Sequence, residues 1–369
     1  MHKILIIDNG EHLGGGQIIA LHIIESLINE NIQIGIGIDR NSSLWKKVHE
    51  SFGIVKLHHI EVLRLTKGKK RLIDILRMFK HMINNSKNIL NILSKYDCIY
   101  INSARSLFSV GFCCILLKKP FIVHIHLLHK VYELFVIGCF SKLKYCIRVV
   151  ACSALVEKSL IAYCGKKVFK INNCLNELSV VNVKTKSPIS SHKIGFFGEL
   201  SQEKGFDLFI EMAIRLTYID FVAVGVPSDN TLHLSHKIPS NLTILHPVDN
   251  IATTINVLGV TVVIMPSRVK ESFGMVAIES VAAGCSVLVS GKGYLYTLAN
   301  ELNLSICEDL NQYVECLIKL LELDLNSLSE LVDHSQKLVF EIYSHENFKL
   351  NIINLINQAL FKDRLHCEA

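Results

Sequence analysis

The chain of 369 residues is long enough for two α/β domains, and half of its residues are hydrophobic. Its mean hydropathy of +0.36 is high, but charged residues interrupt each long apolar stretch, so the sequence predicts no membrane-spanning helix. The net charge of +6 is modest. Basic residues are not interleaved with aromatic ones as in nucleic-acid-binding modules, which argues against nucleic acid as a partner.

The twelve cysteines and the N-terminus indicate the compartment. The cysteines show no C-x-x-C pair and no regular spacing, and several lie in apolar or small-residue contexts. This pattern predicts reduced, buried thiols in a cytoplasmic protein. The apolar run KILII near the N-terminus is too short for the hydrophobic region of a signal peptide, and we interpret it as the first core strand.

The first segments alternate between strand and helix. Residues 3–8 form a short apolar run, three glycines at 14–16 precede a helical pattern, and a second apolar run follows at 32–38. This order predicts a βαβ unit with a glycine loop at its first strand-to-helix turn. The loop is not G-x-G-x-x-G, so a dinucleotide fingerprint is not supported, and adjacent glycines also suit an ordinary turn.

Residues 64–83 carry a cluster of lysine and arginine residues that only Asp74 opposes. Apolar residues of the same segment fall on one helical face. A basic amphipathic helix of this kind can contact an anionic membrane surface, at the inner face for a cytoplasmic protein. The pattern also fits an ordinary surface helix whose apolar stripe covers the domain core, and this is the interpretation that we favour.

Three histidines occur in the strand pattern FIVHIHLLHK after Pro120. Strand alternation puts His124 and His126 on the same side, and together with His129 they permit a metal-site interpretation. No carboxylate or cysteine completes a compact ligand set, so we predict no metal site here. A core or loop position for these histidines is the simpler alternative.

The second half begins after a polar stretch. Residues 181–192 contain a proline and several serines, and we predict that they are an interdomain linker. An apolar strand, the loop SQEKG and a helical pattern follow, which predicts a second α/β domain. Lys204 in this loop is by itself an ordinary solvated side chain.

The most informative stretch is 266–290, where an apolar run enters a polar loop and a helix begins. A helix N-terminus at the carboxyl end of a strand leaves backbone N–H groups available to an anion. We therefore predict that the amides of Phe273, Gly274 and Met275 contact a phosphate.

Two glutamates of this stretch, Glu271 and Glu279, would by their spacing alone fit a solvated helix face. Their flanking residues, however, resemble the E-x7-E motif of retaining glycosyltransferases of the GT-B fold, family 4 type. The motif positions filled here are Pro266, Ser267, Glu271, Phe273, Gly274, Glu279, Ala283, Gly284 and Val287. Ser280 and Ser286 depart from the usual alanine and proline.

A second segment, KIGFFGELSQEKG, is similar to the V-G-R-L-x-x-E-K-G segment of the same family. Lys204 matches the lysine that neutralises the donor diphosphate, a task that suits an ammonium group. Glu199 holds the place of the family's partner arginine, which puts an anion where a cation is usual. That departure weakens the expectation of donor binding and of activity.

The N-terminal half carries two further points of resemblance. Gly14, Gly15 and Gly16 are similar to the family's G-G-x-E loop, which lies against the donor phosphates, with Gln17 in the place of the glutamate. His126 matches the histidine that often ends the corresponding strand and faces the transferred sugar.

The resemblance implies an α/β protein of the GT-B class, with two Rossmann-like domains whose parallel sheets face each other across a cleft. The implied boundaries are an acceptor-side domain at 1–180, the linker at 181–192, a nucleotide-sugar-binding domain at 193–340, and a C-terminal helix at 341–369. In such proteins the last helix returns to the N-terminal domain, and we expect the same here.

The resemblance also implies the roles of the site residues. Glu271 and His126 would hydrogen-bond the hydroxyl groups of the sugar, and Glu279 would bind the ribose. Lys204 and the amides of Gly274 and Met275 would stabilise the leaving diphosphate without a metal. The implied co-substrate is a nucleotide sugar, a UDP- or GDP-sugar, and no further cofactor is expected.

The function implied is transfer of a sugar, with retention at the anomeric carbon, to a glycan or lipid-linked acceptor of a surface polysaccharide or lipopolysaccharide. Two alternatives stay open. A non-hydrolysing nucleotide-sugar epimerase has the same fold class and would act on the donor without an acceptor. A non-catalytic GT-B-like binding subunit would have lost donor chemistry, and Glu199 is the residue that favours it.

Overall fold

The computed structural model describes residues 1–61, 72–175, 192–227, 238–248 and 250–361. The chain divides into two compact units, one formed by Met1–Cys174 with Glu346–Ala369 and the other by Leu175–His345. Within the described residues, no helix has the length and apolar character needed to cross a membrane. The predicted linker lies outside the described residues except for His192, which directly precedes a strand.

The first unit is built on a sheet of seven parallel strands in the order β3-β2-β1-β4-β5-β6-β7. These strands are β1 (His2–Ile7), β2 (Ile32–Ile38), β3 (Lys56–His59), β4 (Cys98–Ile101), β5 (Phe121–Ile125), β6 (Cys146–Ala151) and β7 (Val168–Lys170). The residues from Ile4 to Ile7 are all buried. Burial without alternation is typical of a parallel sheet that helices cover on both faces.

Helices connect these strands in the alternation that the sequence predicts. They are α1 (Gly15–Leu27), α2 (Ser43–Ser51), α3 (Leu72–Leu93), α4 (Ala104–Ser106), α5 (Phe112–Leu116), α6 (Val131–Ser141) and α7 (Ala154–Cys164). Ser153 caps α7, because its hydroxyl accepts a hydrogen bond from the amide of Val156. Of the predicted basic helix at 64–83, residues 64–71 lie outside the described residues, and the remainder falls within α3.

The second unit is built on a sheet of six parallel strands in the order β10-β9-β8-β11-β12-β13. The strands are β8 (Lys193–Phe197), β9 (Asp220–Val224), β10 (Leu242–Leu245), β11 (Val262–Met265), β12 (Ser286–Val289) and β13 (Ser305–Ile306). The helices are α8 (Phe206–Arg215), α9 (Ile251–Leu258), α10 (Met275–Ala282), α11 (Tyr294–Leu302), α12 (Leu310–Leu321) and α13 (Leu325–Ile342).

A last helix, α14 (His345–Phe361), adds to the core of the first unit. Its buried residues Phe348, Ile352 and Ile356 belong to the same hydrophobic cluster as those of α1 and β1. The ring of Phe348 meets that of His22 edge to face, with centroids 6.4 Å apart. Burial of three large apolar side chains stabilises this helix by several kcal/mol, at about 1.5–3 kcal/mol each.

The described cysteines are all free thiols, and nine of the eleven are buried. Burial raises the pKa of Cys146 and of Cys152 to about 12. Thiols held protonated in this way pack as small apolar side chains and are poor nucleophiles.

Candidate active site

In each sheet, the direction in which successive strands are added reverses at one pair of neighbouring strands. The candidate site residues lie near that point. In the first unit the chain winds outward from β1 through β2 and β3, then returns to β4 on the other side of β1. In the second unit β8 and β11 have the same relation. Loops that leave the carboxyl ends of such strand pairs form the usual ligand sites of open α/β sheets.

Asp8, directly after β1, organises the loop that contains the three glycines. Its Oδ1 accepts hydrogen bonds from the amide of Gly10 at 2.7 Å and from Nε2 of Gln17 at 2.9 Å. Oε1 of Gln17 accepts in turn from the amide of Gly14 at 3.2 Å. A glutamate at position 17 would place a second negative charge against the Asp8 carboxylate. The presence of Asp8 therefore explains why position 17 is a glutamine.

Asn102, directly after β4, connects Asp8 to His126. Its Nδ2 donates to Oδ2 of Asp8 at 2.7 Å and to the carbonyl oxygen of Gly16 at 2.9 Å. Because both acceptors lie on the nitrogen side, Oδ1 of Asn102 faces Nε2 of His126, 2.8 Å away. Nε2 must therefore carry the ring proton, and Nδ1 is left as an acceptor.

His126 is neutral in this setting. Burial, with a contribution from nearby His129, lowers its pKa to about 3. No described residue donates a hydrogen bond to its buried Nδ1. The glycine loop lies against the ring, since a Cβ at Gly16 would come within 3.4 Å of Cδ2 of His126. The structure thus brings together two elements of the predicted site, the loop and the histidine.

The other two histidines of segment 121–130, His124 on β5 and His129 after it, have partners of their own. Nδ1 of His124 lies 2.9 Å from the hydroxyl of Tyr100, in the core. Nδ1 of His129 lies 3.0 Å from the carboxylate of Glu133. The rings of His124 and His126 have centroids 4.0 Å apart, but the three histidines face different hydrogen-bond partners.

In the second unit, close backbone packing joins the two loops that follow β8 and β11. Gly205 has a φ of +79°, and a Cβ there would lie 2.1 Å from the carbonyl oxygen of Pro266. Glycine is therefore required at this position, both for the backbone angle and for the contact. The approach carries Lys204 to the segment that contains Ser267 and Glu271.

Lys204 and Glu271 form an ion pair, with Nζ 2.6 Å from Oε1. The same oxygen accepts a hydrogen bond from the hydroxyl of Ser267 at 3.0 Å. The backbone of Glu271 is held by the start of α11, because its carbonyl accepts from the amide of Tyr294 at 2.8 Å. Glu271 is thus fixed at both its backbone and its side chain.

The helix α10 begins directly after this pair. Gly274 is its N-cap residue, with a φ of +107°, and Met275 is its first helical residue. The opening amides of a helix have no partner within it, and the helix dipole favours an anion there. The Phe273 side chain is buried and stacks on Tyr294, with centroids 5.5 Å apart. Phe273 can therefore meet a ligand only through its backbone.

Glu279 lies on α10 and is half-buried. Burial raises the pKa of its carboxyl to about 7. Among the residues that the structure describes, none donates a hydrogen bond to this carboxylate. A desolvated carboxyl without a protein donor, one turn into this helix, is a candidate to receive ligand hydroxyls.

Glu199, in the place of the family's arginine, is exposed. Arg268 lies near the same loops, but its guanidinium binds the Asp207 carboxylate with two hydrogen bonds, the longer of 2.8 Å. Arg268 also donates to the carbonyl of Gln202 at 2.6 Å. The guanidinium of Arg268 thus connects the loop after β8 to α8, and its hydrogen bonds to Asp207 and Gln202 occupy it.

Four residues of these networks were not among the predicted site residues: Asp8, Gln17, Asn102 and Ser267. Asp8 and Asn102 had a signal in the sequence, since each is a polar residue directly after an apolar strand. Their meeting depends on the pairing of β1 with β4, which brings positions 94 apart into hydrogen-bond contact. Ser267 was noted only as a motif position.

Comparison with known proteins gives a family for the second unit. Residues 191–323 match the model of the family described as glycosyl transferases group 1. A Klebsiella pneumoniae protein described as an uncharacterized 42.6 kDa protein in cps region is 27% identical over 175 residues. That match covers 46% of this chain and 41% of the relative's own length.

Solved structures give the fold. Anabaena HepE in complex with UDP and glucose matches with a TM-score of 0.78 and 14% identity, over 97% of this chain and 100% of that chain. A glycosyltransferase from Rickettsia africae matches with a TM-score of 0.77 and 16% identity, over 97% of this chain and 98% of that chain. The predicted fold class, α/β with two Rossmann-like units of the GT-B type, is confirmed.

Proposed function

We propose that this chain, whose residues 191–323 match the family of glycosyl transferases group 1, moves a sugar from a nucleotide-sugar donor to a glycan or lipid-linked acceptor. The observation that carries the proposal is the position of the Lys204–Glu271 pair beside the N-terminus of α10, at the switch point of the second sheet. A cation and free helix amides next to each other suit a diphosphate.

The leaving diphosphate is the group that most requires electrostatic stabilisation. When the bond from the sugar to the phosphate breaks, negative charge builds on the phosphate oxygen. The Lys204 ammonium and the amides of Gly274 and Met275 stabilise that charge. Since these groups supply the positive charge, we propose that transfer needs no divalent metal.

The sugar is oriented by Glu271 and His126 in this scheme. Glu271 has one oxygen engaged by Lys204 and Ser267, and its other oxygen is available to accept from a sugar hydroxyl. The Nε2 proton of His126 is engaged by Asn102, so the ring nitrogen left to accept from a sugar hydroxyl is Nδ1, which is buried in the structure. From the resemblance, we propose that the loop of Gly14, Gly15 and Gly16 lies against the donor phosphates.

We propose that Glu279 binds the ribose of the nucleoside. Its carboxylate has no hydrogen-bond donor among the described residues, and two neighbouring ribose hydroxyls would supply donors. UDP is the first nucleotide to test, because the similar Anabaena structure holds UDP and glucose. Retention at the anomeric carbon is proposed from the resemblance of residues 266–290 to the E-x7-E motif.

The acceptor is proposed to be a growing surface polysaccharide or a lipid-linked precursor of one. Support comes from the Klebsiella relative, whose description places it in a cps region. The described part of the chain has no membrane-spanning helix, and we propose a cytoplasmic protein that acts at the inner face of the membrane. The group 1 match favours a transferase over an epimerase.

The test is a screen of UDP-, GDP- and ADP-sugars with the purified protein, read as binding by calorimetry and as slow hydrolysis by NMR. One class of donor should bind, and the sugar released should keep its anomeric configuration. Conversion of the donor to an epimer without an acceptor would contradict the proposal, and so would the absence of binding by every nucleotide sugar.

A further inference from the structure

Helix α6 in the first unit presents an apolar face to solvent. Val131, Tyr132, Phe135 and Val136 are 70%, 50%, 64% and 38% exposed, and we call them the α6 face. Val131 with Phe135 and Tyr132 with Val136 are i, i+4 pairs, and Tyr132 with Phe135 is an i, i+3 pair, so the four side chains lie on one side of the helix. Solvated helix faces usually carry charged or polar side chains, so four exposed apolar residues in one patch indicate a binding surface.

The exposure of the α6 face is a consequence of how the helix packs. The opposite side of α6 is buried through Leu134, Ile137 and Gly138. Gly138 lies against α7, where a Cβ would come within 3.0 Å of Tyr163. The buried side of α6 therefore supplies its contacts to the core of the unit, and the residues of the α6 face do not take part in that core.

Two other helices of the first unit also expose apolar side chains. Right-handed crossovers between successive parallel strands put α5, α6 and α7 on one face of the sheet. On α5 Phe112 is 44% and Leu116 57% exposed, and on α7 Ile161 is 52% exposed. All three helices on this face of the sheet thus carry exposed apolar side chains.

The segment of the chain that contains the α6 face is strongly positive. Residues 104–170, all of which the structure describes, contain eleven lysine and arginine residues and two glutamates. Both glutamates are half-buried, and one of them, Glu133, binds His129 and the amide at the start of α6. Lys130, Lys142 and Lys144, at the two ends of α6, are exposed.

We propose that the α6 face and its lysines dock on an anionic lipid bilayer. Apolar side chains enter the boundary between headgroups and acyl chains, while the flanking ammonium groups bind lipid phosphates. A nucleic acid would match the charge but not the exposed valines and phenylalanine. Binding of this surface to lipid does not depend on the proposed transferase activity.

The test is flotation of the full chain with vesicles of phosphatidylcholine alone or mixed with phosphatidylglycerol. The wild type should float with the anionic vesicles, less so at high salt, and not with the neutral ones. The Val131→Ser/Phe135→Ser variant should lower partitioning by about tenfold or more. The Lys142→Glu/Lys144→Glu variant should lower it by about 25-fold or more, because each lysine contributes about 1 kcal/mol at such a surface.

Matched controls are Val257→Ser, at a residue 79% exposed in the second unit, and Lys46→Glu, at an exposed residue of α2. Both should float like the wild type, and all variants should melt at its temperature, since the changed side chains are exposed. The proposal is overturned if the wild type does not float with anionic vesicles or if both double variants float unchanged. It is also overturned if the wild type is a dimer in solution that Val131→Ser/Phe135→Ser converts to monomer, because a second copy would then occupy the face.

Discussion

Nζ of Lys204 lies 2.6 Å from Oε1 of Glu271, so two residues predicted for different tasks form one ion pair. The pair is partly shielded, with 34% of the lysine side chain and 17% of the glutamate side chain exposed. Without a donor, each charge compensates the other. A diphosphate would compete for the ammonium group, and the carboxylate would become available to the sugar.

The pair leads to a prediction for Glu271→Gln. This change removes the competitor for Lys204, so UDP should bind as well as to the wild type or more tightly. Transfer to an acceptor should fall by about a hundredfold or more, because the amide orients the sugar hydroxyls less well. Calorimetry with UDP and a transfer assay separate the two effects, and a loss of both binding and transfer would contradict this account of the pair.

A second prediction concerns the loop after β1. Gln17→Glu places a carboxylate against Asp8 and should lower the free energy of unfolding by about 1–3 kcal/mol. Asp8→Asn in the same chain should restore part of that loss, because the asparagine can donate to the new glutamate. Denaturant unfolding of the two single variants and the double variant measures the coupling. Purely additive effects would mean that Asp8 does not select glutamine here.

A third prediction concerns the protonation of His126. Its ring should hold the proton at Nε2 and stay neutral down to about pH 5, since its pKa is lowered to about 3. Nitrogen-15 NMR of the histidine rings reads the tautomer directly, and His126→Ala identifies the signal. Asn102→Leu should remove the fixed tautomer while the sheet stays folded. A protonated His126 at pH 6 would contradict the network.

A fourth prediction follows from the carboxyl group of Glu279. Its pKa is raised from 4.5 to about 7 on folding, so between these values the folded state holds a proton that the unfolded state has lost. Stability should therefore fall as pH rises from about 4.5 to about 7, by about 1–3 kcal/mol after allowance for solvent screening. Glu279→Gln should lack this component. Unfolding curves that change equally with pH in both proteins would contradict the raised pKa.

Local sequence patterns were enough to predict the strands and the start of a helix. Unbroken apolar runs such as those ending at Ile7 and Met265 predict buried parallel strands, and Gly274 before Met275 predicts the start of α10. The link from Asp8 through Asn102 to His126 needed the structure, because it depends on which strands pair. The sequence also did not predict the ion pair between Lys204 and Glu271, because the packing of Gly205 on Pro266 sets the distance between the two side chains.

The position of the donor diphosphate is the central claim, and calorimetric titration of UDP into Lys204→Met tests it most directly. The variant should bind UDP at least about tenfold more weakly than the wild type, because a charge-assisted contact to the phosphates is lost. Lys319→Met, at an exposed residue of α12, should bind like the wild type. Unchanged UDP affinity in Lys204→Met would contradict the assignment of the diphosphate to this site.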